Sequence, residues 1–400
     1  MSNGAGEASA SRIAAVPREG ERVRPLELFF DLVFVLALTQ CTALMADHPT
    51  WSGLAQGLLA LGVIWWSWVG YAWLTSVIDP EEGAVRLVIF GAMAAMLVAA
   101  LSIPSAFDNL ALAFALSYGA VRVAHIALFM LASPGDDALR HSVIGLAAST
   151  AVGVGLLATA SLFDGVAQGS LWALALFLDM AGPYFLGSEG WKLVPAHFAE
   201  RHGLIIIIAL GESIVAIGIG AAGALTLGIG VAAVLGVALA AAMWWTYFDV
   251  VALVSAKRLA KIPEGRELNE MARDAYSYLH LPMVAGIVLV AFGMKATIAH
   301  PGDHLADTPT FALLGGVAAY LLGHVAFRYR QIQTLNRQRL GLALVLLILV
   351  PAATAVPALV ALVALAIVNV LIWALIAYET RSYGEGRERL RREAAAEGVG

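Results

Sequence analysis

The stretch Pro25-Leu-Glu-Leu-Phe-Phe-Asp-Leu-Val-Phe-Val-Leu-Ala-Leu-Thr-Gln-Cys-Thr-Ala-Leu-Met45 sets the reading of the whole chain. After Asp31 no charged residue appears until Asp47, and the apolar side chains follow one another without the alternation of a half-buried strand. Proline at the first position suits an opening helical turn. About twenty helical residues, rising 1.5 Å each, cross the roughly 30 Å hydrocarbon layer of a bilayer. Such runs recur along the 400 residues, of which 60% are hydrophobic and only 13% charged. Soluble domains carry about 25% charged residues, so no soluble core accounts for this composition. Continuous Ala, Leu, Val and Gly runs also argue against an outer-membrane barrel, whose strands alternate.

The expected fold is therefore all-α: a polytopic membrane protein of about twelve transmembrane helices in two tandem six-helix repeats. Residues 1–24 read as a disordered cytoplasmic tail, 25–188 as the first six-helix unit and 189–201 as a cytoplasmic connection. Residues 202–378 read as the second unit and 379–400 as a charged cytoplasmic tail. The later spans are expected near 169–188, 202–222, 226–255 and 276–298. Of the 24 Lys and Arg residues, only Arg122 and Lys295 fall within spans. The other 22 lie in the terminal tails and the even-numbered connections, whereas the odd connections carry acids and histidines instead. Basic residues mark the cytoplasmic side, which places both termini there. The net charge of −5 and the scattering of basic residues speak against a nucleic-acid surface. Cys41, the single cysteine, forms no disulfide within one chain.

Three matches in the same order suggest the duplication. Asp31 to Gln40 aligns without a gap to Gly203 to Glu212, Trp65-Trp66 precedes a counterpart at Trp244-Trp245, and His125-Ile-Ala is echoed by His324-Val-Ala. Six helices is an even number, so the halves share one orientation.

Ionisable groups at membrane depth are costly and by default mark a cavity or a pathway. Glu212, about 15 Å along the axis from His202, lies near mid-bilayer with Ser213 beside it. Its repeat counterpart is Gln40, which follows Thr39. Asp31 and Glu27 share one face of the first span. Arg122 has four candidate carboxylate partners, Asp31, Asp179, Glu212 and Asp249. Pro183, four residues after Asp179, frees the Asp179 carbonyl and kinks its helix. Asp31, Gln40, Arg122, Asp179, Glu212, Ser213 and Asp249 are thus the expected substrate- or ion-binding residues, with Glu27, His125, Glu200, Arg201 and His280 as secondary candidates. Lys295 is accounted for by reaching outward to the membrane surface. His324 reads as interfacial. His197, Glu200 and His202 superficially resemble metal ligands, but the spacing matches no established site and the segment reads as a solvated turn.

No nucleotide loop and no serine or cysteine nucleophile motif appears, so neither cofactor nor metal is expected. A secondary transporter of a small solute or ion, coupled to protons or sodium, fits the polar placement best. A membrane enzyme acting on a lipid or isoprenoid, with Asp31, Glu212 and Arg122 as acid, base and anion clamp, is the alternative. The expected partners are the lipid bilayer and the transported solute or ion, and assembly into a homo-oligomer stays open.

Arg24 to Gln40, His197 to Ser213 and Trp65-Trp66-Ser-Trp-Val-Gly-Tyr71 together resemble the bacterial low temperature requirement protein A (LtrA) family. The resemblance implies a multi-pass protein of the bacterial inner membrane. It places Glu27, Asp31, Glu200, Arg201, Glu212 and Ser213 at motif positions and supplies no mechanism.

Overall fold

A computed structural model describes residues 22–185, 190–221, 225–355 and 361–396. Among these every regular element is helical. The first half comprises α1 (Pro25–Asp47), α2 (Trp51–Thr75), α3 (Val85–Ser102), α4 (Ala111–Leu131), α5 (Asp137–Ala160) and α6 (Gly165–Phe185). The second comprises α7 (Pro195–Ala221), α8 (Leu227–Phe248), α9 (Val251–Ala260), α10 (Arg266–Met271), a π-helical segment Ala272–Tyr278, α11 (His280–Ala299), α12 (Asp307–Ile332), α13 (Arg337–Ala355) and α14 (Ala361–Ala396).

Helix starts follow local chemistry. The Glu27 carboxylate accepts the Arg24 backbone N–H at 2.7 Å, just where Pro25 begins α1. Thr50 caps α2 by accepting from Gly53 N, and Asp136 caps α5 by accepting from Leu139 N at 3.0 Å. That backbone N–H, with Lys192 beside it, holds the Asp136 carboxyl below the usual carboxylate range.

Among the described residues, eleven helical stretches are long and apolar enough to cross a membrane, including α8 with α9 and α10 through α11 as single 34-residue runs. The remaining stretch, α6, has 21 residues, and Gln168 and Asp179 lower its apolarity. Two expected boundaries are corrected. The eighth span is broken at Asp249 and Val250, and the ninth is entered through α10 and the π-helical segment. Hydropathy averages over both features, because neither changes which residues are apolar. Residues 379–396, expected as a tail, continue α14.

Helices α2 and α12 bury 78% of their apolar windows and α13 only 22%, which puts the first two at the centre and the third at the rim. Helix α1 packs on α2, α3, α7 and α11, and α11 packs on α7 and α12. The contact between α11 and α12 is made through glycine. A Cβ on Gly286 would lie 2.5 Å from Gly316 O and 2.7 Å from Tyr320 N, and one on Gly316 would lie 2.8 Å from Gly286 O. Backbone cannot yield as a side chain can, and small residues at such crossings let membrane helices approach. Gly286→Ala is therefore expected to lower stability by about 1–3 kcal/mol through overpacking. Exposed Gly91 in α3, where a Cβ meets nothing within 4 Å, serves as the control. There the same substitution gains up to about 1 kcal/mol from helix propensity. Thermal unfolding in detergent checks the opposite signs, and a gain at both positions would remove the close-contact argument.

Candidate functional site

Helices α1 and α7 carry acids and bases at matching spacing. Glu27 and Asp31 are four residues apart, as are His197 and Arg201, so each pair shares one helix face. The faces meet in parallel register. His197 Nε2 lies 2.8 Å from Glu27 Oε1, and Arg201 Nη2 donates to Asp31 Oδ1 at 3.0 Å. All four side chains are at most 1% exposed. Trp68 on α2 donates its indole N–H to the same Asp31 oxygen at 2.8 Å, and its ring lies beneath the Arg201 guanidinium. Ser76 Oγ meets the other ring nitrogen of His197 at 3.1 Å.

Further along the same two helices, the Thr39 hydroxyl donates to Glu212 Oε2 at 2.5 Å. Glu212 is buried, with Thr42 and Lys295 within its electrostatic reach. The Ser213 hydroxyl is buried with no hydrogen-bond partner among the described residues. Gln40 is half-buried, and its neighbour Thr39 is the residue that touches Glu212.

A second network joins α4, α5 and α6. Of its four candidate partners Arg122 meets Asp179, with Nη2 3.1 Å from Asp179 Oδ1 and 2.7 Å from Thr150 Oγ1. Tyr118 donates to Asp179 Oδ2 at 2.7 Å, and Thr150 donates to Oδ1 at 2.9 Å. Both Asp179 oxygens are therefore engaged by the protein, and the helix continues through Pro183. The seven expected binding residues do not converge on one cluster. Asp31 and Glu212 lie on the α1–α7 seam, Arg122 and Asp179 in the second network, and Asp249 at the break between α8 and α9.

The structure corrects the reading of His197 and His202 and shows the surroundings of the secondary candidates. His197 and His202 do not sit in a solvated turn. Pro195 opens α7 ahead of them, and both are 0% exposed. His202 accepts edge contacts from Trp65, Trp68 and Tyr276. Glu200 alone of that trio faces outward, accepting from Val23 N. His280 is buried behind the π-helical segment, 2.9 Å from Tyr247 Oη and 3.2 Å from Ala275 O. His125 is buried against Gly70 and Tyr71. His324 is 2% exposed, with Nδ1 3.1 Å from Arg339 Nη1.

That last contact belongs to a network the sequence reading missed. Arg339 on α13 forms a two-point ion pair with Glu379 on α14, Nε to Oε1 at 3.0 Å and Nη2 to Oε2 at 2.9 Å. Asn336 adds a donor to Oε1 at 2.9 Å. Both charged residues had been assigned to helix ends facing water. Their opposite signs at one level of consecutive helices were the available signal.

The resemblance drawn from the motifs is tested by comparison with known proteins. The family model of the bacterial low temperature requirement A protein matches residues 22–374. An uncharacterized protein of Rhizobium meliloti (strain 1021), RA0937, is 32% identical over 312 residues, covering 74% of this chain and 75% of its own length. No solved structure matches the chain. Helices fit to cross a bilayer, together with a family match over most of the sequence, make the chain a multi-pass membrane protein that belongs to the bacterial low temperature requirement A family.

Proposed function

We propose that the protein is a secondary transporter of a small solute or ion in the bacterial inner membrane, with both termini cytoplasmic and Glu212 as the group that binds the coupling proton or sodium ion. The observation that carries this reading is the Glu212 carboxylate held by a hydroxyl instead of an arginine. Thr39 donates to one of its oxygens, and the buried Ser213 hydroxyl next to it has no partner among the described residues. A buried carboxylate whose hydrogen-bond partner is a hydroxyl, with Lys295 acting on it only at a distance, can change charge when a cation arrives or leaves. The arginine-paired Asp31 and Asp179 have less freedom to do so.

The parallel course of α1 and α7 supports a two-half frame, since repeats of six helices bring their first helices into the same direction. Their polar contacts then lie at the interface between halves, where transporters of this kind place substrate and coupling ion. The counterparts in the two halves are unequal. Trp65 and Trp66 are buried whereas Trp244 and Trp245 are 45% and 37% exposed, and Glu212 stands where the first half has Gln40.

Proteoliposomes carrying a pH-sensitive dye in the lumen, with a parallel set carrying a sodium-sensitive dye, test the coupling. Challenged with a panel of small solutes with and without a sodium gradient, the wild-type protein is expected to give a solute-dependent proton or sodium signal. Glu212→Gln keeps the shape and the hydrogen-bond acceptor but not the charge change, and should lower that signal about tenfold or more. Equal signals from wild type and variant would remove Glu212 from the coupling role.

A further inference from the structure

Away from the Glu212 region, a surface groove lies between the first turns of α1 and α3, which pack on each other. Pro25, Leu26 and Phe29 line it from α1, Arg86 and Phe90 from α3, and Glu81 from the connection that leads into α3. The two helices present one pattern. Pro25 and Phe29 are four residues apart, as are Arg86 and Phe90, so each pair shares a helix face with its ring one turn further in. Those rings are 52% and 40% exposed, and Leu28, Leu32 and Leu87 beside them are exposed too. In a chain that crosses a bilayer, such a face meets acyl chains, and the rim where the apolar spans begin lies at the level of the lipid headgroups.

That rim carries one charge of each sign, and neither is matched within the chain. Glu81 Oε1 accepts from Leu26 N at 3.1 Å, and its second oxygen takes no hydrogen bond among the described residues. Arg86 donates from Nε at 2.9 Å, and from Nη2, to the Glu81 carbonyl, which is a neutral acceptor. No carboxylate lies within 4.0 Å of its guanidinium among the described residues. The other charges at this end are matched or turned away. Arg24 pairs with Asp79 at 2.8 Å, Glu27 faces His197, and exposed Glu82 is not in the groove wall.

An acid and a base above an apolar groove are the complement of a headgroup that itself carries both signs. A phosphate accepts the guanidinium N–H groups that Arg86 has left. A primary ammonium has three donors, which suit the carboxylate oxygen that Glu81 has left. An anionic lipid without an ammonium would meet Glu81 with a like charge, and a choline headgroup has no N–H to give it. The groove holds about 650 Å³ of empty space. At about 30 Å³ of liquid volume for each water, that is room for roughly twenty waters, or for a headgroup and the first carbons of its chains.

We propose that this groove is a binding site for phosphatidylethanolamine from the leaflet at which α1 and α3 begin, its phosphate on Arg86, its ammonium on Glu81 and an acyl chain along Phe29 and Phe90. The site is independent of the transport reading above.

Photolabelling of the purified full-length protein in mixed micelles tests the site, with phosphatidylethanolamine carrying a diazirine near the start of one acyl chain as probe. Peptide mass spectrometry should find the label on residues 25–32 and 85–91. Unlabelled phosphatidylethanolamine should compete for those positions about fivefold better than phosphatidylglycerol or phosphatidylcholine with the same chains. Glu81→Gln keeps an oxygen for Leu26 N and removes the charge. It should weaken phosphatidylethanolamine about twofold to fivefold and bring phosphatidylglycerol level with it. Arg86→Gln should weaken both lipids about fivefold. Size-exclusion elution and thermal melts show whether the variants are folded, and Arg86→Gln, at an exposed position, decides the matter if Glu81→Gln is not. Equal competition by the three lipids would make the groove a general lipid contact and overturn the proposal, and a preference for either of the other two would overturn the assigned class. Label absent from both helices, or unchanged in both variants, overturns the location. Label found there only in a chain lacking residues 1–21 would give the groove to that segment and overturn the proposal as well. Labelling is read without a membrane gradient, so failed transport leaves the site standing, and failed labelling leaves the coupling role of Glu212 untouched.

Discussion

Arg201→Met is expected to destabilise the protein by about 3–5 kcal/mol, because it leaves the Asp31 carboxylate charged and buried without its cation. Asp31 is 0% exposed and sits between α1, α2 and α7, with Trp68 as its remaining donor. Asp31→Asn should cost a similar amount from the other side, since Arg201 would then keep its charge 1% exposed with no carboxylate in contact. Asparagine retains an oxygen for the Trp68 indole, so the loss reports the ion pair and not that hydrogen bond. The double variant Asp31→Asn, Arg201→Met removes both charges. It should recover most of the loss, because a buried pair replaced as a unit is often nearly neutral. Reversible unfolding of all four proteins in mixed micelles completes the cycle. Single variants within about 1 kcal/mol of wild type would show that water reaches the pair and screens it.

The second large effect belongs to Arg122. Arg122→Leu leaves Asp179 with the hydroxyls of Tyr118 and Thr150, and about 3–5 kcal/mol of stability should be lost. Tyr118→Phe deletes one hydrogen bond to a charged group while the ion pair persists, and should cost about 1.5–3 kcal/mol. The order of these two variants tests the assignment. If Tyr118→Phe proved the worse of the two, the carboxylate would be held chiefly by hydroxyls, and Arg122 would be free for another duty. Arg122→Lys is not conservative here, since a lysine ammonium has no planar fork to span both directions.

Taken together, α1 and α7 have a graded seam. Two rungs, Glu27 with His197 and Asp31 with Arg201, join partners that can carry opposite charges. The third, Thr39 with Glu212, joins a carboxylate to a hydroxyl. The first two suit a fixed clasp between helices, as polar contacts between membrane helices commonly provide. Under the transport proposal, the third is the rung whose charge varies with what binds.

Much of the architecture was legible along the chain. Apolar length and the absence of alternation defined helices and their number, because crossing a hydrocarbon layer imposes the same demand on every span regardless of its neighbours. The equal spacing of Glu27 and Asp31 and of His197 and Arg201 was legible too, though not that they face each other. His197 and His202 were misjudged because a polar stretch after a proline looks like a turn. A helix that buries those polar groups against α1 and aromatic rings looks no different in one dimension. The π-helical segment 272–278 had no sequence signal, and the opposite signs of Arg339 and Glu379 were the one hint of their pairing.

The sequence by itself determined the helical, membrane-crossing character of the chain and its family, since these depend on apolar length along the axis and on transfer from water to lipid. Only the tertiary structure decided which polar groups meet. Of four carboxylates open to Arg122 it brought Asp179, and Glu212 was left to a threonine. Pairing depends on the rotation of each helix about its axis and on its register against its neighbours, and packing of the whole bundle sets both. The twenty-one residues of Pro25 to Met45 announced a membrane helix from the start, while the meaning of its Asp31 and Thr39 waited on α7.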